Sequence, residues 1–295
     1  MGTLNTNREK LVKMAVVGEI SHPTLRKTGY VVTAEGKVAV YPSVGGITYN
    51  QRIGDSAVDL MADHVEPGVS IRNTSPGFGE YSANSALNVL SCVGNRARVI
   101  SGDAKGAIGY VTGKHGGIDH VMVDFPADVL EKLVIGDRIL VEAWGVGLQL
   151  TELHPQVLVM NLDPDLLERL PVQRSNDGYL EIGVTHQIPA QVMGSGLGQS
   201  SAYSGDYDIQ MFDQGVVERL GLNRLRFGDL VAIQDSDASH GWIYREGAIT
   251  VGVVAHSCSV VSGHGPGVTT LFTSPSGKIR PKIDPEANLK QWLFQ

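Results

Sequence analysis

Residues 228–271 read GDLVAIQDSDASHGWIYREGAITVGVVAHSCSVVSGHGPGVTTL. Two β-branched apolar runs, GDLVAIQ and AITVGVV, flank a polar loop, the pattern of paired strands around a turn. Along the second run Ile249, Val251, Val253 and Ala255 share one face, and Thr250, Gly252, Val254 and His256 the other, because successive side chains of a strand alternate. From 247 to 277 no Asp, Glu, Lys or Arg interrupts the chain. The Ser, Thr, His and Gly content of that stretch, with Pro266 and Pro275, suits buried strands and tight turns and argues against a bilayer span.

The remaining sequence extends this reading. A hydrophobic fraction of 42% with 19% charged residues is that of a folded chain with a full core. Thirty-six glycines in 295 residues favour many short strands joined by tight turns, and residues 30–41, YVVTAEGKVAVY, carry a hairpin signal. We therefore expect a mainly β (α+β) chain of two β-barrel- or sandwich-like subdomains with a few short helices. One helix is expected within residues 80–93, with Ser82 as N-cap; a second starts at Asp163 with Pro164 in its first turn. Asp284-Pro285-Glu286 marks a third start. The polar residues 173–178 put a boundary between an N-terminal unit, 1–172, and a C-terminal unit, 173–295. Segments 130–141 and 222–233 repeat a Leu-rich run, a Gly-Asp pair and a strand, either a shared local turn or a duplication.

Charge and cysteine narrow the function. The net charge is −7, and it sits in the second half: residues 1–150 hold 14 basic and 15 acidic side chains, residues 151–295 hold 10 and 16. That balance disfavours nucleic acid and anionic membrane and is compatible with cation binding. Two cysteines, Cys92 and Cys258, do not make a disulfide framework. With an N-terminus unlike a signal peptide, a cytoplasmic protein is expected. The terminal Trp292-Leu293-Phe294 is expected to dock on the body or on a partner subunit of a homo-oligomer.

Candidate site residues fall in three groups. Asp235, Asp237, Ser239 and His240 place oxygen ligands at alternate positions, partly like a calcium loop. The glycine such a loop needs at its sixth position is His240, and the flanks read as strands, so the alternatives are a hard-cation site on a β-loop or a solvated hairpin tip. His256 ends a buried strand. His264 sits in Gly263-His264-Gly265-Pro266-Gly267, where three glycines leave space beside the ring. His256 and His264 with Asp235 or Asp237 would make a mixed nitrogen and oxygen site suited to Zn, Mn or Fe; across both readings the expected cofactor is a divalent metal ion, Zn, Mn, Mg or Ca. Asp55, Asp59, Asp63, His64 and Glu66 form an acidic cluster in the first half. If the halves pack face to face, Asp63 and His64 line one cleft with His256 and His264. The glycine-rich 193–198 lacks the pattern of a dinucleotide loop and reads as an active-site loop running into Asp206 and Asp208.

Three resemblances follow. GDAKGAIGYVTGKHGG (102–117), GDLVAIQDSDASHG (228–241) and AHSCSVVSGHGPGVT (255–269) together resemble an uncharacterised prokaryotic family known as a domain of unknown function. Residues 96–125 resemble a KOW-type hairpin of small SH3-like barrels, with Gly106 and Gly109 at a close strand crossing. Gly205-Asp206-Tyr207-Asp208, Gly228-Asp229 and Gln234-Asp235-Ser236-Asp237 follow the order seen in acetamidase/formamidase-type amidohydrolases, although the last stretch lacks that family's second Gly and its Glu.

These readings converge on a metal-dependent hydrolase of a small polar amide-like metabolite. In that expectation His264, His256, Asp235 and His240 hold the ion, and Asp237, Asp63 and His64 serve the chemistry. The alternatives are a non-enzymatic ligand- or metal-binding protein and, through the KOW-like hairpin, an RNA-binding one.

Overall fold

The computed structural model describes residues 4–79 and 81–294. Strands Met14–Ile20, Arg138–Ala143, Arg96–Val99, Ile108–His115, His120–Asp124 and Gly68–Arg72 follow one another in space, every pair antiparallel, and Gly68–Arg72 returns to pair with Met14–Ile20. The result is a closed six-stranded barrel. Alternation along each strand fills it: in Arg96–Val99 the two arginines face solvent while Ala97 and Val99 are buried, and Ile139, Val141, Val121 and Val123 join the same core. Helix Ala83–Leu90, capped by the Ser82 side chain on the N–H of Ser85, adds Leu87 to it. The KOW-like segment, 96–125, supplies three neighbouring barrel strands. Gly109 is required there, because a Cβ would stand 2.4 Å from the carbonyl of Asp124.

The second half builds a six-stranded sheet. Its path runs Leu158–Val159, Gly267–Ser274, Ile243–Val254, Leu230–Asp237 and His186–Pro189, the last pair parallel, with Tyr207–Asp208 pairing beside the start of Gly267–Ser274. A three-stranded sheet of Val172–Arg174, Leu180–Val184 and Ile279–Ile283 shares its core. Every residue of Gly267–Ser274 is buried, as its lack of charge requires. Its hydroxyls find partners: Thr269 bonds both the N–H and the C=O of Lys114 on the barrel strand, and Thr270 accepts from the Trp242 indole. The Thr269 contact joins the two halves beside the site described below.

Several local expectations have definite outcomes. Asp163 caps helix Pro164–Leu167 through the N–H groups of Asp165 and Leu166. Leu158–Val159, on the N-terminal side of residue 172, pairs into the C-terminal sheet. The two Gly-Asp segments share a turn: Asp137 accepts from the N–H of Val134, and Asp229 from that of Arg226. Asp284 starts no helix. It accepts from the N–H of Glu286 in a turn, and the helix begins at Lys290; Asp-Pro is also a turn former. Trp292 and Leu293 pack on the main core. No described helix is long and apolar enough to cross a membrane.

Candidate metal centre

Four histidines and two aspartates meet where the barrel touches the C-terminal sheet. His115 ends the barrel strand Ile108–His115. His64 lies in the loop before Gly68–Arg72, in the left-handed region at φ 56°. Asp206 and Asp208 arrive on the segment that pairs with the strand beginning at Gly267, and His256 and His264 come from the loop between strands Ile243–Val254 and Gly267–Ser274. The donors form two trios, His115/Asp206/His256 and His64/Asp208/His264, each with its ligand atoms within 4.8 Å of one another.

The inner trio is buried. His256 is fully enclosed, and its Nδ1 donates to the carbonyl of Ser257. Its Nε2 stands 2.5 Å from Asp206 Oδ2, yet neither atom has a hydrogen-bond partner. Asp206 is held by its other oxygen, which accepts from the N–H of Gly116 at 2.8 Å. Glycine at 267 is obligatory, because a Cβ would lie 1.9 Å from Asp206 Oδ2 and 2.2 Å from His256 Nε2. Burial opposes a charge on His256, but the Asp206 and Asp208 carboxylates outweigh it and raise its pKa well above the usual imidazole value.

Behind this trio stands Glu66, also fully buried. It accepts from His115 Nδ1 at 2.7 Å, from His120 Nδ1 at 3.0 Å, from the N–H of Gly45 and from the Ser70 hydroxyl. Burial alone would raise its pKa; the two imidazoles reverse that and hold it well below the usual carboxylate range. With His115 Nδ1 committed to Glu66, Nε2 is the nitrogen left for a ligand, the usual carboxylate–histidine–metal arrangement.

The outer trio is more open. His264 Nδ1 is 3.1 Å from Asp208 Oδ2 and 3.1 Å from His64 Nε2, and His64 Nε2 is 4.0 Å from Asp208 Oδ2. His64 Nδ1 faces Asp63 at 3.2 Å, and Asp63 also accepts from the Ser259 hydroxyl and the N–H of Val260. Burial pushes the Asp63 carboxyl up, but His64, Ser259 and Val260 outweigh it and set its pKa at about 2. Burial lowers the pKa of His64. Asp208 is pulled down, against its own burial, by His256 and His264.

A cavity of about 210 Å³ opens beside the cluster, bordered by Ser195, Gln199, Ser201, Ser204, Asp119 and Trp242. Under the loop that delivers Asp206, the fully buried Lys114 donates to Asn161 Oδ1 at 2.6 Å and to the carbonyl of Tyr203 at 2.5 Å. Burial lowers its pKa to about 8.

The structure thus brings His64, His256 and His264 together, with Asp63 behind His64. Asp235, Asp237 and His240 stand elsewhere, in neither trio and not on the cavity wall. Asp235 accepts from the N–H of Gly247 at an irregularity in the strand pairing. Asp237 accepts from Ser239 and pairs with Arg245; His240 is exposed at the tip. These carboxylates hold their own hairpin, which is the other use of Asp in a polar loop. The ligand groups not counted among the sequence candidates are His115, Asp206 and Asp208. His115 lies inside the KOW-like segment, and the two aspartates stand out through the glycine-rich loop that runs into them and through the amidohydrolase likeness. Cys258 and Cys92 are free thiols raised by burial to about 11 and about 12, which does not suit a nucleophile.

Two family models match the chain: "Domain of unknown function (DUF4438), N-terminal" over residues 30–168 and "Domain of unknown function (DUF4438), C-terminal" over 169–293. A crystal structure of TM1086 is 49% identical, with a TM-score of 0.92, covering 99% of this chain and 100% of that one. No curated protein matches, and the amidohydrolase likeness has no counterpart among these findings. The chain belongs to the DUF4438 family.

Proposed function

We propose that this DUF4438 protein is a metal-dependent hydrolase of a small, polar, amide-like substrate. The observation that carries the reading is the unbonded 2.5 Å contact between Asp206 Oδ2 and His256 Nε2 in a buried setting. With one hydrogen on Nδ1, His256 offers Nε2 to a cation, a proton in the metal-free protein, where Asp206 and Asp208 raise its pKa, or a metal ion in the proton's place. Two electron-rich atoms so close in a dry interior need a cation to share. His115, aimed by Glu66, adds the third ligand. Two imidazoles and one carboxylate suit Zn, Mn or Fe better than Mg or Ca, which favour all-oxygen shells.

An ion so held would supply Lewis acidity and bring the pKa of a bound water toward neutrality. The chain's residues do the rest. Glu66 fixes the tautomer of His115, and the N–H of Gly116 fixes Asp206. Among the described residues no Lys or Arg lines the cavity, so it lacks the fork that clamps phosphate or carboxylate groups and fits a neutral polar substrate. Its volume suits a small metabolite. Neither Asp237, whose carboxylate is taken by Ser239 and Arg245, nor Asp63, which is engaged by three donors, is proposed as the base.

The test is metal analysis of protein purified without a histidine tag, followed by turnover of a panel of small amides before and after chelation. We expect bound metal and hydrolysis that chelation removes and metal restores; His256→Asn loses both, while Asp237→Asn keeps both. Protein that neither retains nor takes up Zn, Mn or Fe ends the metal reading. Stoichiometric metal without turnover of any panel member ends the hydrolase reading and leaves a non-enzymatic metal-binding role.

A further inference from the structure

We propose that the centre is built for two divalent cations, the second held by His64, Asp208 and His264, with Asp208 bridging them. The inference rests on the metal reading above and deepens it. The outer donors form a triangle with edges of 3.1, 3.1 and 4.0 Å. Ligands bound at about 2.0–2.2 Å to one ion stand roughly 3–4 Å apart, so the triangle is of the size one cation needs.

Asp208 divides its oxygens between the trios. Oδ2 faces His264 and His64, whereas Oδ1 lies 3.6 Å from His256 Nε2. A carboxylate presented in this way sets two ions about 3.5–4 Å apart, the spacing of two-metal hydrolases. The rings agree with so short a separation: the His64 centroid is 5.2 Å from that of His256 and 5.6 Å from that of His115. The unpartnered Asp206 Oδ2 and His256 Nε2, both buried, belong to the same cluster.

Charge supports the count. Four buried carboxylates surround the cluster: Asp206 and Asp208 as ligands, and Asp63 and Glu66 behind His64 and His115. Four negative charges balance two divalent cations, and no Lys or Arg lines the adjoining cavity among the described residues. The positions differ in access. His115, Asp206 and His256 are buried, whereas the His264 side chain is 36% exposed, so the outer ion exchanges with solvent while the inner one stays.

The experiment strips the full chain with chelator, titrates it with Mn²⁺ or Zn²⁺, and measures metal per chain after gel filtration. We expect a stoichiometry of two, filled in two steps of distinct affinity, with spin coupling between the Mn²⁺ ions in electron paramagnetic resonance. His264→Ala and, independently, His64→Gln should each reduce the count to one while circular dichroism stays unchanged. Wild-type protein that saturates at one ion overturns the second site and leaves the hydrolase reading intact. A variant that still binds two overturns the assignment of its ligands, and two uncoupled ions overturn the bridge. No metal at all sinks the parent reading instead.

Discussion

Replacing Gly267 by alanine puts one methyl group into the centre and nothing else. The residue lies in a strand, outside the left-handed region, so alanine is allowed by the backbone and opposed only by space. Its Cβ would stand 1.9 Å from Asp206 Oδ2 and 2.2 Å from His256 Nε2. Non-bonded atoms settle near 3.5 Å, so the ligands must retreat by roughly 1.3–1.6 Å, whereas a metal shell tolerates about 0.2 Å. Loss of one well-placed ligand then weakens metal binding by about 100-fold or more, about 2.7 kcal/mol. Overpacking costs a further ~1–3 kcal/mol of stability. Competition with a chromogenic chelator gives the affinity, and urea unfolding gives the stability. Gly252→Ala is the control: its Cβ would meet Thr269 O and Val268 at 2.5 Å, so it should lower stability yet leave metal affinity alone. If Gly267→Ala binds metal within threefold of wild type, the Asp206–His256 contact is no metal cradle and the reasoning fails.

Two other perturbations probe the support. Glu66→Gln keeps the shape but turns an oxygen that accepts from histidine into an amide that must donate; metal affinity should fall by about 10–100-fold, and an unchanged affinity would remove Glu66 from the centre's design. Lys114 has its pKa lowered to about 8 from an ordinary 10.5, so between those values the unfolded chain binds more protons and stability rises with pH, by at most about 3 kcal/mol. Lys114→Met should remove that rise, read as the difference in urea-unfolding free energy between the two proteins from pH 7.5 to 10; parallel curves would show that the ammonium is not penalised by its burial.

Much of this was written in local pattern and some could not be. The alternation in Arg96–Val99 and the charge-free run into Gly267–Ser274 encode strands directly, since period and burial are local properties. The cap at Asp163 is likewise local, as is the Asx turn at Asp284 that the same residue types also permit. Glycines around His264 marked the right loop for another reason than space beside its ring: a Cβ at 265 would meet the Ile209 carbonyl, one at 267 would meet Asp206 and His256, and Gly263 has a φ of 79°. Asp206 and Asp208 become ligands only because residues 207 and 208 pair with 268 and 267, a contact no local period encodes. Asp235 and Asp237 show the converse, a ligand-like spacing whose carboxylates are consumed by their own hairpin.

Each trio draws one histidine from before residue 169 and its other two donors from after residue 205. A chain emerging from the ribosome N-terminus first therefore carries His64 and His115 long before it has anything to complete them. The inner trio exists only once residue 256 has been made, and the outer one only after residue 264. On the proposed metal reading, capture is thereby confined to the last stage of the protein's birth. On that reading, a loaded centre certifies that both halves have docked.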